Sequence, residues 1–357
     1  MSEFRTIREL CSVVVDCPHS TPKWTANGKI VIRNKNIKHG KIDFSSPSYT
    51  DDEHFAQRIK RAKPQPGDII ITREAPIGDV GMIPENTECC LGQRMVLLRA
   101  NQSVCDNFYL LYSLQSLYVQ HQISWSEGTG TTVSNLRIPH LEQIQIPYLP
   151  LEQQAKISSV LRALEEKIEN NRRLNDNLQQ QAAALFSSLY DRTNTEVRFT
   201  DLIQILGGGT PKTGENTYWN GNIAFFTPKD VGTPYTLITE KTITEEGLSH
   251  CNSRLYPVNT VFVTARGTVG KVGMSGVPMA MNQSCYALVG KETHQLLVYF
   301  YTLKAVDRLK HKASGAVFDA ITTRDFESEQ IMKLSDDDAK AFLCIAEPMF
   351  QKVLNNC

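Results

Sequence analysis

The sequence predicts a mixed α/β (α+β) protein with two tandem globular units separated by a long coiled-coil helix. Three observations predict it: a segment that recurs later in the chain, a long stretch without Gly or Pro that carries an apolar heptad, and a second, shorter heptad at the tail. The length agrees, because 357 residues can form two domains with their own cores.

The first unit is expected over residues 1–150. Its segment Gly67–Met82 (GDIIITREAPIGDVGM) lies on Asn259–Met274 (NTVFVTARGTVGKVGM) after a shift of 192 positions. Thr72, Gly78, Val80, Gly81 and Met82 then meet Thr264, Gly270, Val272, Gly273 and Met274, and the apolar run Ile69-Ile70-Ile71 meets Val261-Phe262-Val263. With small changes of offset, Thr21-Pro22-Lys23 meets Thr210-Pro211-Lys212, and Gln93 meets Gln283. A shift of 185 brings Gly130, Leu141, Glu142 and Ile146 onto Gly315, Phe326, Glu327 and Ile331. The matches keep their order along the chain, which marks a duplication rather than chance similarity of two β-rich segments. Gly78 and Gly270 read as tight strand connections. Gln93 and Gln283 read as structural, because two readers of different partners would not need the same side chain.

A helical region is expected over 151–196. Pro150 stands where a helix can begin, and Leu151–Tyr190 holds no Gly or Pro. Ile157, Leu161, Leu164, Ile168, Asn171, Asn175, Leu178, Ala182, Leu185 and Leu189 advance by alternating fours and threes, a heptad seam suited to packing on another helix. Two readings of Asn171 and Asn175 stand side by side: tolerated polarity, or groups that fix helix register and partner.

The second unit is expected over 197–335, and a shortened helix over 336–357. In that tail Phe342, Ala346, Met349, Val353 and Asn356 fall on Ile157, Leu161, Leu164, Ile168 and Asn171, with Pro348 expected to bend the helix. The last residue, Cys357, corresponds to Arg172, half-way along the first copy of the helix.

Composition removes several functions. Lys plus Arg and Asp plus Glu both number 38, so no global basic bias exists. No apolar run reaches eighteen residues, and the N-terminus MSEFRTIREL lacks the apolar core of a secretory signal. Nine cysteines, with Cys89 and Cys90 adjacent and no Cys-x-x-Cys, argue against a disulfide framework and a zinc site, so a reducing cytoplasmic location is expected. Basic residues do cluster locally: Arg33, Lys35, Lys38, His39 and Lys41; then Arg58, Lys60, Arg61 and Lys63; then Lys304, Arg308, Lys310, His311 and Lys312. Such clusters form solvated faces or phosphate contacts, and their recurrence over two copies puts the phosphate reading level with the solvated face.

Catalytic patterns are missing. Gly209-Thr210-Pro211-Lys212-Thr213-Gly214 approaches a phosphate-binding loop, but Glu215 stands where the lysine is needed. No HExxH, GxSxG or GxGxxG occurs, and no Pro-Pro is present for an adenine-methylating loop. Glu165-x-Lys167 and Asp338-x-Lys340 have the spacing of a nuclease pair but lie on the expected helices, where they read as surface pairs. A non-catalytic protein is the better reading.

Residues 144–190, beginning IQIPYLPLEQQ, resemble the central conserved region of specificity (S) subunits of type I restriction–modification systems. Ile146, Pro147, Pro150, Glu152, Gln153, Ala182 and Phe186 fit that pattern approximately, and residues 207–231 resemble the start of a target recognition domain. The resemblance implies two target recognition domains, each reading half of a bipartite, asymmetric DNA sequence, related by pseudo-twofold symmetry through paired antiparallel helices. It implies double-stranded DNA, two modification (methyltransferase) subunits and restriction (translocase/nuclease) subunits as partners, in a host-defence system. It places S-adenosylmethionine, ATP and Mg on those partners, with no cofactor or metal on this chain. Family members usually finish with a second full helix. For the short one here, natural truncation, the limits of the piece in hand and a split subunit all stay open.

Arg and Lys reach guanine edges, and Asn and Gln adenine edges, in the major groove. The DNA-binding candidates are therefore Lys23, Arg33, Lys35 and Arg73 in the first unit, and Lys212, Lys229, Arg266 and Lys271 in the second. Asn171 and Asn175 are the candidates for helix register and partner choice. Two alternatives remain at this level: a stand-alone DNA-binding regulator of the same fold, and a nuclease with unrecognised residues.

Overall fold

The computed structural model describes residues 3–38, 40–125, 135–232, 234–312 and 320–357. His39, Gly130 and Gly315 lie outside the described residues. The chain forms two compact units, Met1–Glu166 and Lys167–Cys357.

Unit 1 is built on a four-stranded antiparallel sheet in the order Cys11–Asp16, Met95–Ala100, Ile69–Arg73, Ile77–Met82. A second sheet orders Ser48–Thr50, Lys29–Ile32 and Cys89–Leu91, the last two strands parallel. Glu3–Thr6 pairs with Gln145–Tyr148 and ties the two ends of the unit together.

Unit 2 repeats this plan. Its main sheet runs Ile203–Gly207, Cys285–Gly290, Val261–Thr264, Val272–Ser275, with Tyr235–Thr236 as a fifth, edge strand. Lys241–Ile243, Trp219–Phe226 and Met279–Met281 form the second sheet, again with a parallel pair, and Glu196–Arg198 pairs with Gln330–Met332.

The repeat seen in the sequence is a repeat of register. Ile69, Ile70 and Ile71 pair with Met82, Gly81 and Val80, while Val261, Phe262 and Val263 pair with Met274, Gly273 and Val272. The triplets Ile69–Ile71 and Val261–Val263 are apolar throughout because both faces are covered. Ile69 and Ile71 join a core with Val96, Leu98 and Leu110, whereas Ile70 joins Ile32, Cys89 and Leu97 on the other side. Val261 and Val263 likewise share a core with Phe300, and Phe262 packs with Phe226 and Met281.

The matched Thr and Gly residues have a local cause. Thr72 Oγ1 accepts the Asp79 N–H (2.9 Å) and Thr264 Oγ1 accepts the Lys271 N–H (3.0 Å), closing the same turn. Gly78 (φ +82°) and Gly270 (φ +72°) occupy the left-handed region there, where a side chain is strained.

One helix runs from Leu151 to Tyr190. At its start Gln154 is fully buried, its Oε1 accepting the Asp106 N–H (2.9 Å) and its Nε2 donating to Val104 O (3.1 Å) and Leu149 O (2.7 Å). Gln154→Leu leaves those three groups unmatched, and we expect a loss of about 2 kcal/mol in unit 1 stability. An unchanged urea midpoint would remove Gln154 from the supports of the helix start.

The heptad seam is buried only in its C-terminal part. Ala182, Phe186 and Leu189 are buried among Phe342, Ala346, Phe350 and Val353 of the C-terminal helix Asp336–Asn356. Rising positions on the long helix meet falling ones on the other, Asn175 against Asn356 and Phe186 against Phe342, so the two run antiparallel. Ile157, Leu164 and Ile168 remain exposed. The C-terminal helix continues through Pro348.

Glu165 sits on the long helix and accepts a hydrogen bond from Tyr112 Oη (3.1 Å), and Asp338 lies in the first turn of the C-terminal helix. Neither carboxylate belongs to a nuclease-like cluster of acidic side chains among the described residues.

Candidate nucleic-acid interface

In unit 1 the loops that follow the strands converge on one concave site of about 410 Å³, edged by Trp24, Arg33, Asn34, Lys35, Gln93 and Arg94. Trp24 is 44% exposed and the Arg33 guanidinium lies 5.0 Å from its ring centre, a cation–π contact that orients the charge without neutralising it. Lys35 is exposed and makes no ion pair among the described residues. Arg94 reaches Glu74 through Nε (3.2 Å), and Glu74 in turn accepts from Asn135 Nδ2 (2.7 Å). Asn34 Nδ2 donates to Glu74 O (2.6 Å), while its buried Oδ1 has no partner among the described residues. The floor of the site is braced by Gln93, whose Nε2 donates to His19 O.

Unit 2 brings equivalent loops together. Thr210 Oγ1 donates to Gln283 Oε1, Thr268 Oγ1 donates to Pro228 O (3.3 Å), and the Arg266 N–H donates to Ser284 O (3.3 Å). Gln93 and Gln283 therefore do the same job, tying the loop after the first sheet strand to the loop after the parallel strand.

The structure treats the sequence-predicted residues differently. Lys23, Arg33, Lys35, Lys212, Lys229, Arg266 and Lys271 are all exposed. Lys23 approaches Asp51 (3.8 Å) and Lys229 approaches Glu240 (3.4 Å), exposed contacts that a phosphate can displace. Arg73 is committed to the fold. Its side chain is 11% exposed, Nη1 contacts both Asp16 oxygens (2.9 and 3.0 Å), Nε donates to Leu136 O (2.9 Å) and Nη2 to Asn135 Oδ1 (3.1 Å). A guanidinium so engaged has no free fork for a base.

Members of two of the basic clusters are also engaged by the fold. Arg58 is buried, and Lys63 shares Glu88 with Lys29, whose hydrogen bonds hold the Glu88 carboxyl down to about 2. Arg308 donates to Gln330 O (2.7 Å) and Tyr190 Oη (3.1 Å), Lys310 donates to Gly270 O (2.8 Å), and Lys312 pairs with the buried Glu329. These cations brace unit 2. Sequence reasoning missed Trp24, Asn34 and Arg94. The one signal for Arg94 is its place directly after Gln93, where the second copy has Ser284.

Asn175 is 8% exposed and faces the end of the C-terminal helix: its Oδ1 accepts from Asn356 Nδ2 (2.8 Å) and its Nδ2 donates to Val353 O (3.4 Å). Asn171 is half-buried. The nine cysteines are free thiols, and burial raises the Cys89 and Cys90 pKa values to about 12 and about 11. No helix among the described residues is long and apolar enough to cross a membrane.

The sequence profile of the type I restriction modification DNA specificity domain matches the chain twice, over residues 3–180 and 192–333. The type I restriction enzyme MjaIX specificity subunit of Methanocaldococcus jannaschii is 31% identical over 127 residues, 34% of this chain and 29% of that protein, so the chain spans under a third of it. A second protein of that organism, provisionally assigned as the MjaX specificity subunit of a type I restriction enzyme, is 21% identical over 359 residues, 92% of this chain and 82% of its own length. The crystal structure of a type I restriction–modification S subunit from M. genitalium shares the fold, with a TM-score of 0.63 and 17% identity over 100% of this chain and 91% of that one.

Proposed function

The chain belongs to the type I restriction modification DNA specificity family, and from that premise we propose that it chooses the DNA target of a type I restriction–modification complex without catalysing a reaction itself. Each unit acts as a target recognition domain for one half of a split, asymmetric sequence. The observation that carries this reading is one loop frame built twice and edged both times by exposed Lys and Arg side chains, the donors that meet phosphates and base edges.

Chemistry belongs to the partners in this reading. Two modification subunits supply S-adenosylmethionine and extrude the target adenine, whose amino nitrogen is inaccessible in the stacked duplex. Restriction subunits supply ATP- and Mg-dependent translocation and cleavage of unmodified DNA. The chain contributes position: its lysines hold phosphates and so fix register, and its variable side chains test base edges. The complex works in the cytoplasm, where the DNA is.

The test is a methylome. Expressed with its modification subunits in a host lacking other adenine methylation, the chain is expected to create one bipartite motif methylated on both strands. No new methylation, together with no retention of duplex DNA by the assembled complex, overturns the proposal.

A further inference from the structure

The two units are copies, so each serves as a control for the other, and this inference rests on the function proposed above. Hydrogen bonds align the loops residue by residue. The Arg33 N–H donates to Asn36 Oδ1 (3.0 Å) and the Asn36 N–H to Arg33 O (2.8 Å). In unit 2 the Thr227 N–H donates to Asp230 Oδ2 (2.8 Å) and the Asp230 N–H to Thr227 O (3.0 Å). Both turns follow a parallel pair, Ile32 with Leu91 and Phe226 with Met281. The Arg73 N–H donates to Arg94 O (2.8 Å) and the Leu136 N–H to Arg73 O (3.0 Å), just as the Ala265 N–H donates to Ser284 O (2.8 Å) and the Ile321 N–H to Ala265 O (2.9 Å).

This alignment sorts the site into two sets. Lys35 falls on Lys229, Lys23 on Lys212, and Gln93 on Gln283. Arg33 falls on Thr227, Arg94 on Ser284, and Glu74 on Arg266. Phosphates are the same on every sequence, whereas base edges are not. Two readers of different half-sites built on one frame must keep their phosphate contacts and change their base contacts.

We infer that Arg33, Glu74 and Arg94 in unit 1, and Thr227, Arg266 and Ser284 at the same places in unit 2, determine base specificity, while Lys23, Lys35, Lys212 and Lys229 hold phosphates. Arg94 is the principal reader of unit 1, and its ligand is a guanine edge. Its side chain is 58% exposed, and Glu74, itself held by Asn135, engages it through Nε. That leaves the two terminal nitrogens as the fork that matches guanine O6 and N7. Unit 2 has only hydroxyls where unit 1 has Arg33 and Arg94, and of these three positions it places a guanidinium, Arg266, only where unit 1 has the acid.

The experiment is the methylome of the complex carrying Arg94→Ser, Arg94→Lys, Arg266→Ala or Lys35→Ala, with thermal unfolding of each variant as the fold control. Arg94→Ser is expected to relax one guanine position in one half-site by about 10- to 100-fold, leaving the other half-site and the spacer as they were. Arg94→Lys is expected to relax the same position, because an ammonium lacks the fork. Arg266→Ala relaxes one position in the other half-site. Lys35→Ala weakens binding to all sequences alike, with a shallower salt dependence and an unchanged motif. A wild-type motif that Arg94→Ser and Arg94→Lys leave intact overturns this inference alone, as does an Arg94→Ser variant that loses both half-sites equally. A wild-type complex with no bipartite motif overturns the proposed function, and this inference with it.

Discussion

Arg58→Met is expected to lower the stability of unit 1 by about 3–5 kcal/mol, the cost of removing three charge-assisted hydrogen bonds to backbone carbonyls. Arg58 is 6% exposed and has no carboxylate partner among the described residues. Its charge is satisfied by backbone alone: Nε donates to Leu91 O (2.6 Å), Nη1 to Ser20 O (2.8 Å) and Nη2 to Pro18 O (3.1 Å). Burial pushes its pKa below the usual arginine value, but a guanidinium starts so high that it stays charged. The three carbonyls belong to the two loops that edge the concave site, one leading to Trp24 and the other to Gln93 and Arg94. Met fills the volume but donates to none of the three oxygens, and the Leu91 carbonyl is then buried without that donor.

Urea titration measures the loss, and hydrogen exchange is expected to place it in residues 17–33 and 89–94. Arg58→Lys should recover only part of the stability, since one ammonium cannot span three carbonyls in a plane. A loss under about 1 kcal/mol, the size of an exposed contact, would show that Arg58 does not hold these loops together.

Arg58 and Arg73 also show what a sequence conceals. Both look like candidate DNA contacts because a cation in a basic, turn-rich segment is usually exposed. Whether it is exposed depends on residues far along the chain: Asp16, 57 positions from Arg73, and Pro18, 40 positions from Arg58. Lysines were easier to place, because a strongly hydrated ammonium on a long stem seldom goes inside. The duplication and the helix from Leu151 to Tyr190 were legible because apolar period and Gly/Pro punctuation are local signals, whereas the strand registers came only with the structure.

The heptad was legible only as a direction. Its spacing says which side of the helix is apolar, and it says nothing about what covers that side. The C-terminal helix covers Ala182 and, beside the seam, Phe186, while Ile157, Leu164 and Ile168, in the same seam as Ala182, are exposed. Arg94 was illegible for a different reason. The repeat draws attention to matched positions, and the variable ones become visible only when hydrogen bonds fix the alignment.

Phe186→Ala is expected to cost unit 2 about 3–5 kcal/mol, the range for truncating a buried aromatic ring. Phe186 is 1% exposed and its ring stacks on Phe300 at 5.0 Å, with Tyr301 and Phe342 edge-on at 5.4 Å each and Tyr190 at 5.6 Å. Phe300 and Phe342 also meet each other edge-on at 5.2 Å, so the cavity would open at the centre of a closed group rather than at its rim. A rim cavity can collapse, whereas a central one has rings on every side that are already fixed by one another. Phe342 is the point where the C-terminal helix enters this group, and beyond it the helix is held by the exposed His294–Glu347 contact and, at its far end, by Asn175 with Asn356. Loss of the ring should therefore release the helix from its beginning. Hydrogen exchange is expected to accelerate over residues 336–350 and to leave the unit 1 strands Ile69–Arg73 and Met95–Ala100 unchanged. Phe186→Leu, which keeps most of the volume, should cost about 1–1.5 kcal/mol and preserve that protection. If Phe186→Ala destabilised unit 2 while the C-terminal helix kept its protection, the helix would be held by Phe350 and Val353 instead, and the antiparallel pair would not depend on Phe186.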